Sequence, residues 1–139
     1  MGRVLGLDWG EKRIGLALSD EGRTLARTLP VLEVSSESRA VLAVARLIRE
    51  NDVDTLVIGD PLHMNGGRSK SGERAGKLAS KLEALFPLLR VIFRDERLTS
   101  REAEAILKER SERTRGRKGR IDQIAAAIIL QDFLDGETR

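Results

Sequence analysis

A hairpin of two buried strands is predicted by residues 4–18, which have the sequence VLGLDWGEKRIGLAL. The run Val4–Leu7 is short and apolar, as expected of a strand in the centre of a sheet. A second apolar run, Ile14–Leu18, follows after a few polar residues that include Gly10. Two apolar runs separated by so short a glycine-containing turn favour an antiparallel pair. Asp8 therefore stands at the carboxyl end of the first predicted strand.

Beyond the hairpin, strand-like and helix-like stretches alternate. Further strands are predicted at Leu29–Val34, Thr55–Ile58 and Val91–Phe93, and Pro30 places the first of these near a sheet edge. Helices are predicted from about Ser38 to Glu50, around Ala75–Leu82, from Thr99 onward and over Ile121–Leu134. The order βββαβαβαα predicts an α/β fold in which helices flank a five-stranded mixed sheet. We expect residues 1–139 to form a single domain.

The composition excludes several kinds of catalytic site. The 139 residues include one His and no Cys, which excludes a thiolate nucleophile, a zinc–thiolate site and a multi-histidine site. No apolar run approaches about 18 residues, the length that a membrane span needs. The N-terminus runs straight into the first predicted strand and does not resemble a signal peptide. We therefore expect a soluble, cytoplasmic protein whose chemistry comes from carboxylates, hydroxyls or basic side chains.

Acidic residues follow three of the predicted strands. Asp8 follows the first strand, Asp60 the fourth, and Asp95 and Glu96 the fifth. Asp122 stands near the start of the last predicted helix. In open α/β sheets, ligands bind beyond the carboxyl ends of the strands. If the first, fourth and fifth strands are neighbours, these carboxylates converge on one edge of the sheet.

A concentration of positive charge precedes the last helix. Residues 110–120 carry six Arg and Lys side chains and one Glu, a local charge of +5 within a net charge of +3. The remaining residues therefore sum to −2. The segment is either a solvated connection or a surface that binds the phosphates of a nucleic acid. Taken alone, it does not distinguish between the two.

Converging carboxylates and a basic segment together indicate a nuclease. Carboxylates that lie close together repel unless cations neutralise them, and oxygen-only ligands suit Mg²⁺ and Mn²⁺. Two such ions about 3.5–4 Å apart can activate water and stabilise the leaving oxygen of a phosphodiester. An acidic cluster beside this basic segment therefore predicts metal-dependent cleavage of a nucleic-acid backbone.

Each acid also has a purely structural interpretation when it is taken singly. Asp8, before Trp9 and Gly10, can start a turn. Asp122 can be the N-cap of the apolar helix that follows it, and Glu96 can pair with a neighbouring arginine on the surface. Trp9 can stack on a base beside the site, although a single Trp in a small domain packs more often in the core.

Four motifs resemble those of one family. Residues 5–17, LGLDWGEKRIGLA, closely resemble the opening signature of the YqgF family, also called RuvX. VIGDPLHMNG at 57–66, DERLTS at 95–100 and DQIAAA at 122–127 continue the resemblance in the same order. The resemblance implies an RNase H-like fold related to Holliday junction resolvases. It also implies a cytoplasmic, metal-dependent nuclease that processes the 5′ end of pre-16S rRNA, although junction resolution has been proposed for the family too.

The resemblance further implies which residues form the site. The family's catalytic, metal-binding acids fall on Asp8, Glu96 and Asp122, which would hold Mg²⁺ or Mn²⁺. Position 60 is usually apolar in the family, whereas this chain has Asp there. Residues that match the family's basic motif positions, and are expected to contact phosphate, are Lys12, Arg13 and Arg97. Residues of the basic segment that we expect to bind the nucleic acid are Arg113, Arg115, Arg117 and Lys118.

Other classes of function stay open at the level of sequence. One is a nucleic-acid-binding module that does not cleave. Another is a phosphotransferase or ATPase, because Asp8-x-Gly10 before a second strand resembles the phosphate-binding hairpin of actin-like and hexokinase-like kinases. Those kinases close two such domains around a nucleotide, whereas 139 residues supply one. The expected substrate is pre-rRNA or branched DNA, and the expected state is a monomer or homodimer without membrane association.

Overall fold

A mixed sheet lies at the centre of the fold. The structure, a computed structural model, describes residues 2–10, 12–33, 36–60, 70–95 and 120–137, with the backbone alone for 60, 70, 71, 95 and 120–123. Within these ranges the strands are β1 (Arg3–Trp9), β2 (Arg13–Ser19), β3 (Ala26–Glu33), β4 (Val53–Asp60) and β5 (Arg90–Asp95). Their order across the sheet is β3-β2-β1-β4-β5. β2 runs antiparallel to β1 and β3, whereas β1, β4 and β5 are parallel, which confirms the predicted five-stranded mixed sheet.

The β1–β2 hairpin forms as predicted. The Gly10 N–H donates to the Arg13 carbonyl over 2.8 Å and closes the turn. β1 occupies the centre of the sheet because its side chains are apolar toward both faces, and Val4, Leu5 and Leu7 are fully buried. The chain therefore places Asp8 in the central strand of the sheet.

β3 is an edge strand, as Pro30 predicts. It begins at Ala26, earlier than the predicted Leu29, and residues 26–28 pair with β2. Arg27 and Thr28 are exposed, so the apolar pattern that marks a buried strand is missing there. The prediction therefore placed the start of this strand three residues too late.

Helices cover both faces of the sheet. They are α1 (Glu37–Glu50), α2 (Lys70–Leu85) and α3 (Arg120–Glu137). α1 begins after Ser36, whose hydroxyl accepts a hydrogen bond from the Arg39 N–H over 3.2 Å and so caps the helix. The helix predicted from Thr99 lies outside the described residues. The other predicted helices are confirmed, with ends that differ by one to a few residues.

The two faces of the sheet bury different helices. α1 and α2 pack on the face that carries Leu5, Leu7 and Ile58. α3 packs on the opposite face, which carries Val4 and Val57, and buries side chains from Ala126 to Leu134. No helix within the described ranges combines the length and the apolar character that crossing a membrane requires.

Candidate active site at the carboxyl edge of the sheet

The carboxyl ends of β1, β4 and β5 lie side by side, as predicted. Asp8 of β1 is in register with Gly59 of β4, and Gly59 is in register with Arg94 of β5. One residue further on, the backbone of Asp60 is in register with that of Asp95. Because neighbouring strands lie about 4.8 Å apart, the strand ends that carry the predicted acids share one short stretch of the sheet edge.

Asp8 is a buried residue of the central strand. Its register partners are Gly15 of β2 and Gly59 of β4, and it is only 8% exposed. The interpretation of Asp8 as a turn residue is therefore wrong. A carboxylate removed from water needs a hydrogen bond or a cation to offset its lost hydration. Strands on both sides fix the backbone of Asp8, which is what a ligand of defined geometry requires.

α3 approaches β1 most closely at Gly6. A Cβ atom built on Gly6 would lie 2.9 Å from the Leu130 Cβ and 3.1 Å from the Ala126 carbonyl oxygen. These distances are shorter than ordinary van der Waals contact, so only glycine lets the helix lie this near the strand. The contact holds the middle of α3 against the middle of β1.

The direction of α3 brings the backbone of Asp122 toward Asp8. Arg23 donates to both the Glu137 carboxylate (2.8 Å) and the Gly2 carbonyl (3.0 Å), so the helix ends near the start of β1. Helix and strand are therefore antiparallel. From the contact at the glycine of β1, Asp8 lies two residues further along the strand, about 7 Å. Asp122 lies four residues before Ala126, which is one of the two helix residues at this contact. It is therefore about 6 Å nearer the start of the helix, in the same direction as Asp8.

The other two predicted acids belong to α3 or follow β5 in the chain. Asp122 lies inside the first turn of α3, which begins at Arg120, so its interpretation as the N-cap is wrong. An acid in the first turn is favoured by the helix dipole. Glu96 directly follows Asp95, the last residue of β5, and lies outside the described residues. The predicted basic residues that also lie outside them are Arg97, Arg113, Arg115, Arg117 and Lys118.

Lys12 and Arg13 lie at the turn that follows Asp8. Lys12 is exposed. The Arg13 Nε is 3.5 Å from the Glu33 carboxylate, which is mostly exposed. An ion pair so open to water contributes little to stability, and its guanidinium can exchange partners easily. Both cations therefore lie at the turn that follows Asp8, and neither is buried.

Trp9 packs in the core and presents no ring surface to a base. It is 3% exposed and belongs to the cluster under α1 and α2. Its indole Nε1–H has no hydrogen-bond partner in the described part of the chain. The core interpretation of Trp9 is confirmed.

The donor set suits a hard divalent cation. Of the three predicted ligands, only Asp8 has a described side chain. Among the side chains that the structure describes, no three Asp, Glu, His or Cys lie close enough to hold a metal. The predicted set consists of carboxylate oxygens alone, and Mg²⁺ and Mn²⁺ prefer oxygen ligands. Among the described residues, Asp8 lies near the end of β1 and Asp122 in the first turn of α3.

The sequence matches one family over nearly its whole length. A family model with the description "RuvX: Holliday junction resolvase" matches residues 2–136. The chain belongs to the RuvX family. A relative from Roseiflexus sp. (strain RS-1), named "Putative pre-16S rRNA nuclease", is 43% identical over 138 residues, covering 98% of this chain and 96% of the relative. A relative of the same name from Syntrophus aciditrophicus (strain SB) is 43% identical over 133 residues, covering 96% and 88%.

Solved structures confirm the fold of this RuvX chain. T. thermophilus RuvC in complex with a Holliday junction substrate superposes with a TM-score of 0.64 at 16% identity, covering 99% of this chain and 96% of RuvC. The fowlpox virus resolvase, solved with Holliday junction DNA, gives 0.61 at 15% identity and covers 99% of each chain. The predicted RNase H-like fold related to junction resolvases is therefore confirmed.

The RuvX chain also contains an ion network that the sequence did not predict, at the opposite edge of the sheet. The Arg23 side chain is 10% exposed and lies 2.8 Å from both the Asp54 and the Glu137 carboxylates. These partners are 31 and 114 residues away in the chain. No motif or short spacing links them, so only the folded chain reveals the network.

The network shifts the pKa values of Arg23 and Asp54 toward their charged forms. Burial alone lowers the pKa of Arg23, but the bonds to Glu137 and Asp54 outweigh burial and raise it. Burial alone raises the pKa of Asp54, but hydrogen bonds from the Thr55 hydroxyl, the Gly2 N–H and Arg23 outweigh burial and lower it. Asp54 and Arg23 therefore stay ionised through the physiological range of pH.

Proposed function

We propose that this protein is a metal-dependent nuclease that processes the 5′ end of pre-16S rRNA. It is a hydrolase of ester bonds in nucleic acid, as predicted, because it belongs to the RuvX family and its relatives carry the name of pre-16S rRNA nuclease. The observation that carries the proposal is the burial of Asp8 at the carboxyl end of the central strand. α3 directs the backbone of Asp122 toward the same place.

Asp8, Glu96 and Asp122 would hold the metal in this proposal. A bound Mg²⁺ or Mn²⁺ supplies a water of lowered pKa and neutralises charge that develops on the phosphate. Asp8 contributes a carboxylate whose backbone is fixed by two neighbouring strands. Asp122 contributes a second carboxylate from the first turn of α3, and Glu96 a third from directly beyond β5. Because the sheet fixes the strand ends, binding a cation requires little rearrangement of them.

The basic residues would bind the substrate backbone. Lys12 and Arg13 follow Asp8 directly and would contact the phosphates nearest the site, together with Arg97. The basic segment 110–120 precedes α3 in the chain, so it joins the helix at the end that carries Asp122. Contacts to phosphate release counterions, so binding should weaken steeply with salt. The residues of the segment in this role are Arg113, Arg115, Arg117 and Lys118.

Salt dependence measures the contribution of the basic segment. We expect that changing its four named cations to Gln reduces the slope of log affinity against log salt by about 3, at about 0.7 to 0.9 per phosphate contact. Filter binding of pre-16S rRNA over a salt series gives the slope. A control variant, Arg46→Gln, removes an exposed cation of α1 that pairs with Glu50 and should leave the slope unchanged. An unchanged slope in the fourfold variant would exclude the segment from the binding surface.

Side-by-side cleavage assays test the function. Purified wild type, Asp8→Asn and Asp52→Asn are incubated with pre-16S rRNA and with a four-way DNA junction, each with and without Mn²⁺. Asp52 is an exposed acid at the amino edge of the sheet, so Asp52→Asn is the matched control. We expect metal-dependent cleavage of the RNA by wild type and Asp52→Asn, and none by Asp8→Asn. Cleavage by Asp8→Asn at the wild-type rate would exclude Asp8 from the site.

Junction resolution is the second candidate, favoured by the description of the matched family as a Holliday junction resolvase. Cleavage of the junction alone would assign the protein to it. Metal-independent, salt-sensitive binding without products from either substrate would instead assign a non-catalytic binding module. A junction with two-fold symmetry suits a homodimeric resolvase, whereas an rRNA nuclease requires only a monomer. Light scattering measures the oligomeric state of the free protein and so gives a second criterion for choosing between the two functions.

We also propose that the protein acts in the cytoplasm without membrane association, and that it folds as a single domain. Precursor ribosomal RNA is a cytoplasmic substrate in bacteria, and an enzyme that processes it has to be there. Fractionation of cells and blotting for the protein tests this placement. Recovery with the ribosomal precursors in the soluble fraction supports it, and recovery with the membranes contradicts it.

A further inference from the structure

α3 has unlike halves. Residues 124–130 have the sequence IAAAIIL and carry only apolar side chains, which cannot form hydrogen bonds. The second half makes polar contacts with other parts of the chain. Gln131 accepts from the Ala26 N–H over 2.9 Å and donates to the Thr24 carbonyl over 2.9 Å. Among the described side chains, the hydrogen bonds that can set the orientation of α3 therefore lie in its second half.

The strongest of these contacts is made by Arg23 at the last turn. Its Nη2 donates to both Glu137 oxygens, over 2.8 and 3.1 Å, its Nε donates to Oε1 over 3.3 Å, and its Nη1 donates to Asp54 and to the Gly2 carbonyl. The Nε–Oε1 and Nη2–Oε2 bonds lie side by side, and such a pair fixes orientation as well as distance. The backbone of Arg23 has a φ of 57°, a region that residues other than glycine rarely adopt. The turn thus holds this arginine in an unfavourable conformation that places its side chain on the end of α3.

The contact at Gly6 acts as a pivot between the two ends of α3. Gly6 meets both Ala126 and Leu130, so the centre of the contact lies about nine residues from Glu137 and about six from Asp122. At 1.5 Å of rise per residue, the two arms measure about 14 and about 9 Å. A sideways displacement of the Glu137 end would therefore move the Asp122 end in the opposite direction, by roughly two thirds as much. What holds one end in place also holds the other.

We propose that Arg23 is a positioning residue for the active site. By holding Glu137, it fixes the orientation of α3 about the contact at Gly6, and with it the position of Asp122 relative to Asp8. The proposal rests on the proposed function, since it assumes that Asp122 and Asp8 act together. Arg23 itself lies at the amino edge of the sheet, opposite the edge that carries Asp8, so in this proposal it acts through α3.

A merely stabilising role for Arg23 makes a different prediction. In that case, variants would lower the temperature of unfolding, but folded molecules would keep α3 in place and bind metal as wild type does. A positioning role predicts altered helix orientation and weaker metal binding in molecules that are fully folded. An apparent metal affinity 10 to 100-fold lower is the scale on which partners that orient metal ligands act.

Spin labels measure the orientation of α3 directly. The chain has no Cys, so labels can be attached at Asp135→Cys, an exposed position of α3 five residues beyond Leu130, and at Arg39→Cys, an exposed position of α1 on the other face of the sheet. Pulsed electron resonance gives the distribution of distances between them. We compare wild type with Arg23→Met and Arg23→Lys. We expect a broader or shifted distribution in Arg23→Met and a smaller change in Arg23→Lys, which keeps the charge but loses the two parallel bonds.

Mn²⁺ titration by calorimetry and by cleavage accompanies the labels, at a temperature where each variant is folded. Glu137→Gln weakens the same contact from the other side and serves if Arg23→Met does not fold. Arg46→Met removes an exposed cation of α1 that pairs with Glu50 four residues on, and is the matched control. We expect Arg23→Met and Glu137→Gln to raise the Mn²⁺ concentration at the midpoint of the titration 10 to 100-fold. We expect Arg46→Met to leave it unchanged.

The outcomes separate this proposal from the proposed function. A distance distribution and an Mn²⁺ midpoint that stay at wild-type values in both Arg23→Met and Glu137→Gln would overturn the positioning role, whether or not the protein cleaves RNA. Absence of metal-dependent cleavage by wild type would overturn the proposed function, while the labels would still decide whether Arg23 orients α3. A changed distribution together with a raised midpoint supports the role.

Discussion

The two edges of the sheet use charge in opposite ways. At the amino edge, Arg23 is nearly enclosed, and its guanidinium meets the carboxylates of Asp54 and Glu137 at 2.8 Å. At the carboxyl edge, Asp8 is buried in the central strand, and the exposed Lys12 nearby forms no ion pair within the described part of the chain. The guanidinium at the first edge is matched by carboxylates of the protein, whereas the ammonium of Lys12 at the second is exposed to solvent.

The comparison separates stability from catalysis in this fold. Charged groups that are matched inside a protein hold its segments together, and removing one of them leaves its partners unpaired. Acids that lie close together repel one another, which costs stability, and they can bind a metal ion. Substitutions at the carboxyl edge should therefore reduce activity and spare stability. Substitutions at the amino edge should reduce stability first.

The largest effect is expected for Asp8→Asn. Cleavage of pre-16S rRNA should fall by more than about 100-fold, because loss even of a residue that only orients a metal ligand costs 10 to 100-fold. The free energy of unfolding should stay within about 1 kcal/mol of wild type, or rise, because the amide removes a charge from a site of like charges. Single-turnover cleavage and urea unfolding measure the two quantities. A loss of stability that matches the loss of activity would show that the two edges do not differ as described.

Unlike Asp8→Asn, Arg23→Met should lower the free energy of unfolding. We expect a loss of about 2 to 3 kcal/mol, below the 3 to 5 typical of breaking a fully buried pair, because the Asp54 side chain is 45% exposed and can regain water. Arg46→Met breaks an exposed pair and should cost less than about 0.5 kcal/mol. Urea unfolding of both variants gives the comparison. If the two variants lost equal free energy of unfolding, the enclosure of Arg23 would add nothing to the stability of the protein.

Gly6→Ala tests the contact that joins the two edges. The added methyl would lie 2.9 Å from the Leu130 Cβ, so the helix or the strand has to shift. We expect a loss of about 1 to 3 kcal/mol, the usual cost of overpacking a core. Circular dichroism during urea unfolding measures it. If Gly6→Ala retains full stability, α3 can move away from β1 without cost, and the pivot at this contact is looser than the distances indicate.

The sequence predicts the carboxyl edge far better than the amino edge. The acids there follow apolar runs, and the βαβ connection through α2 favours β4 and β5 as parallel neighbours. The pairing of β1 with β4, which sets Asp8 beside Gly59, is a condition of the prediction, and the structure meets it. Motifs carry the same information because the site residues lie within short, characteristic stretches.

The amino edge depends on contacts that no local pattern encodes. Arg23 lies in a turn and meets partners 31 and 114 residues away. Each of these residues resembles an ordinary surface charge in the sequence. The early start of β3 was missed for a related reason, since the exposed residues Arg27 and Thr28 lack the apolar alternation of a buried strand. Long-range ion pairs and exposed edges are set by the tertiary structure alone.

The smallest expected effect is the dependence of stability on acid through Asp54. Burial by itself raises the pKa of this carboxyl, but hydrogen bonds from Thr55, Gly2 and Arg23 bring it below its ordinary value of 3.8. Because the pKa is lower in the folded state, the stability it contributes is present above about pH 4 and is lost as the pH falls through the folded value. The side chain is half-exposed, so the contribution is about 1 kcal/mol or less.

Comparison of wild type with Asp54→Asn isolates this contribution, because asparagine does not titrate. Wild type should be more stable by about 1 kcal/mol or less at neutral pH, and the difference should shrink toward zero as the pH falls below about 4. Urea unfolding at a series of pH values measures the difference. If the difference instead grew in acid, the folded state would favour the protonated carboxyl, and Asp54 would not belong to a network of matched charges. Shrinkage confined to this acidic range would show that the amino edge holds its charges against protonation until well below the pH at which a nuclease works.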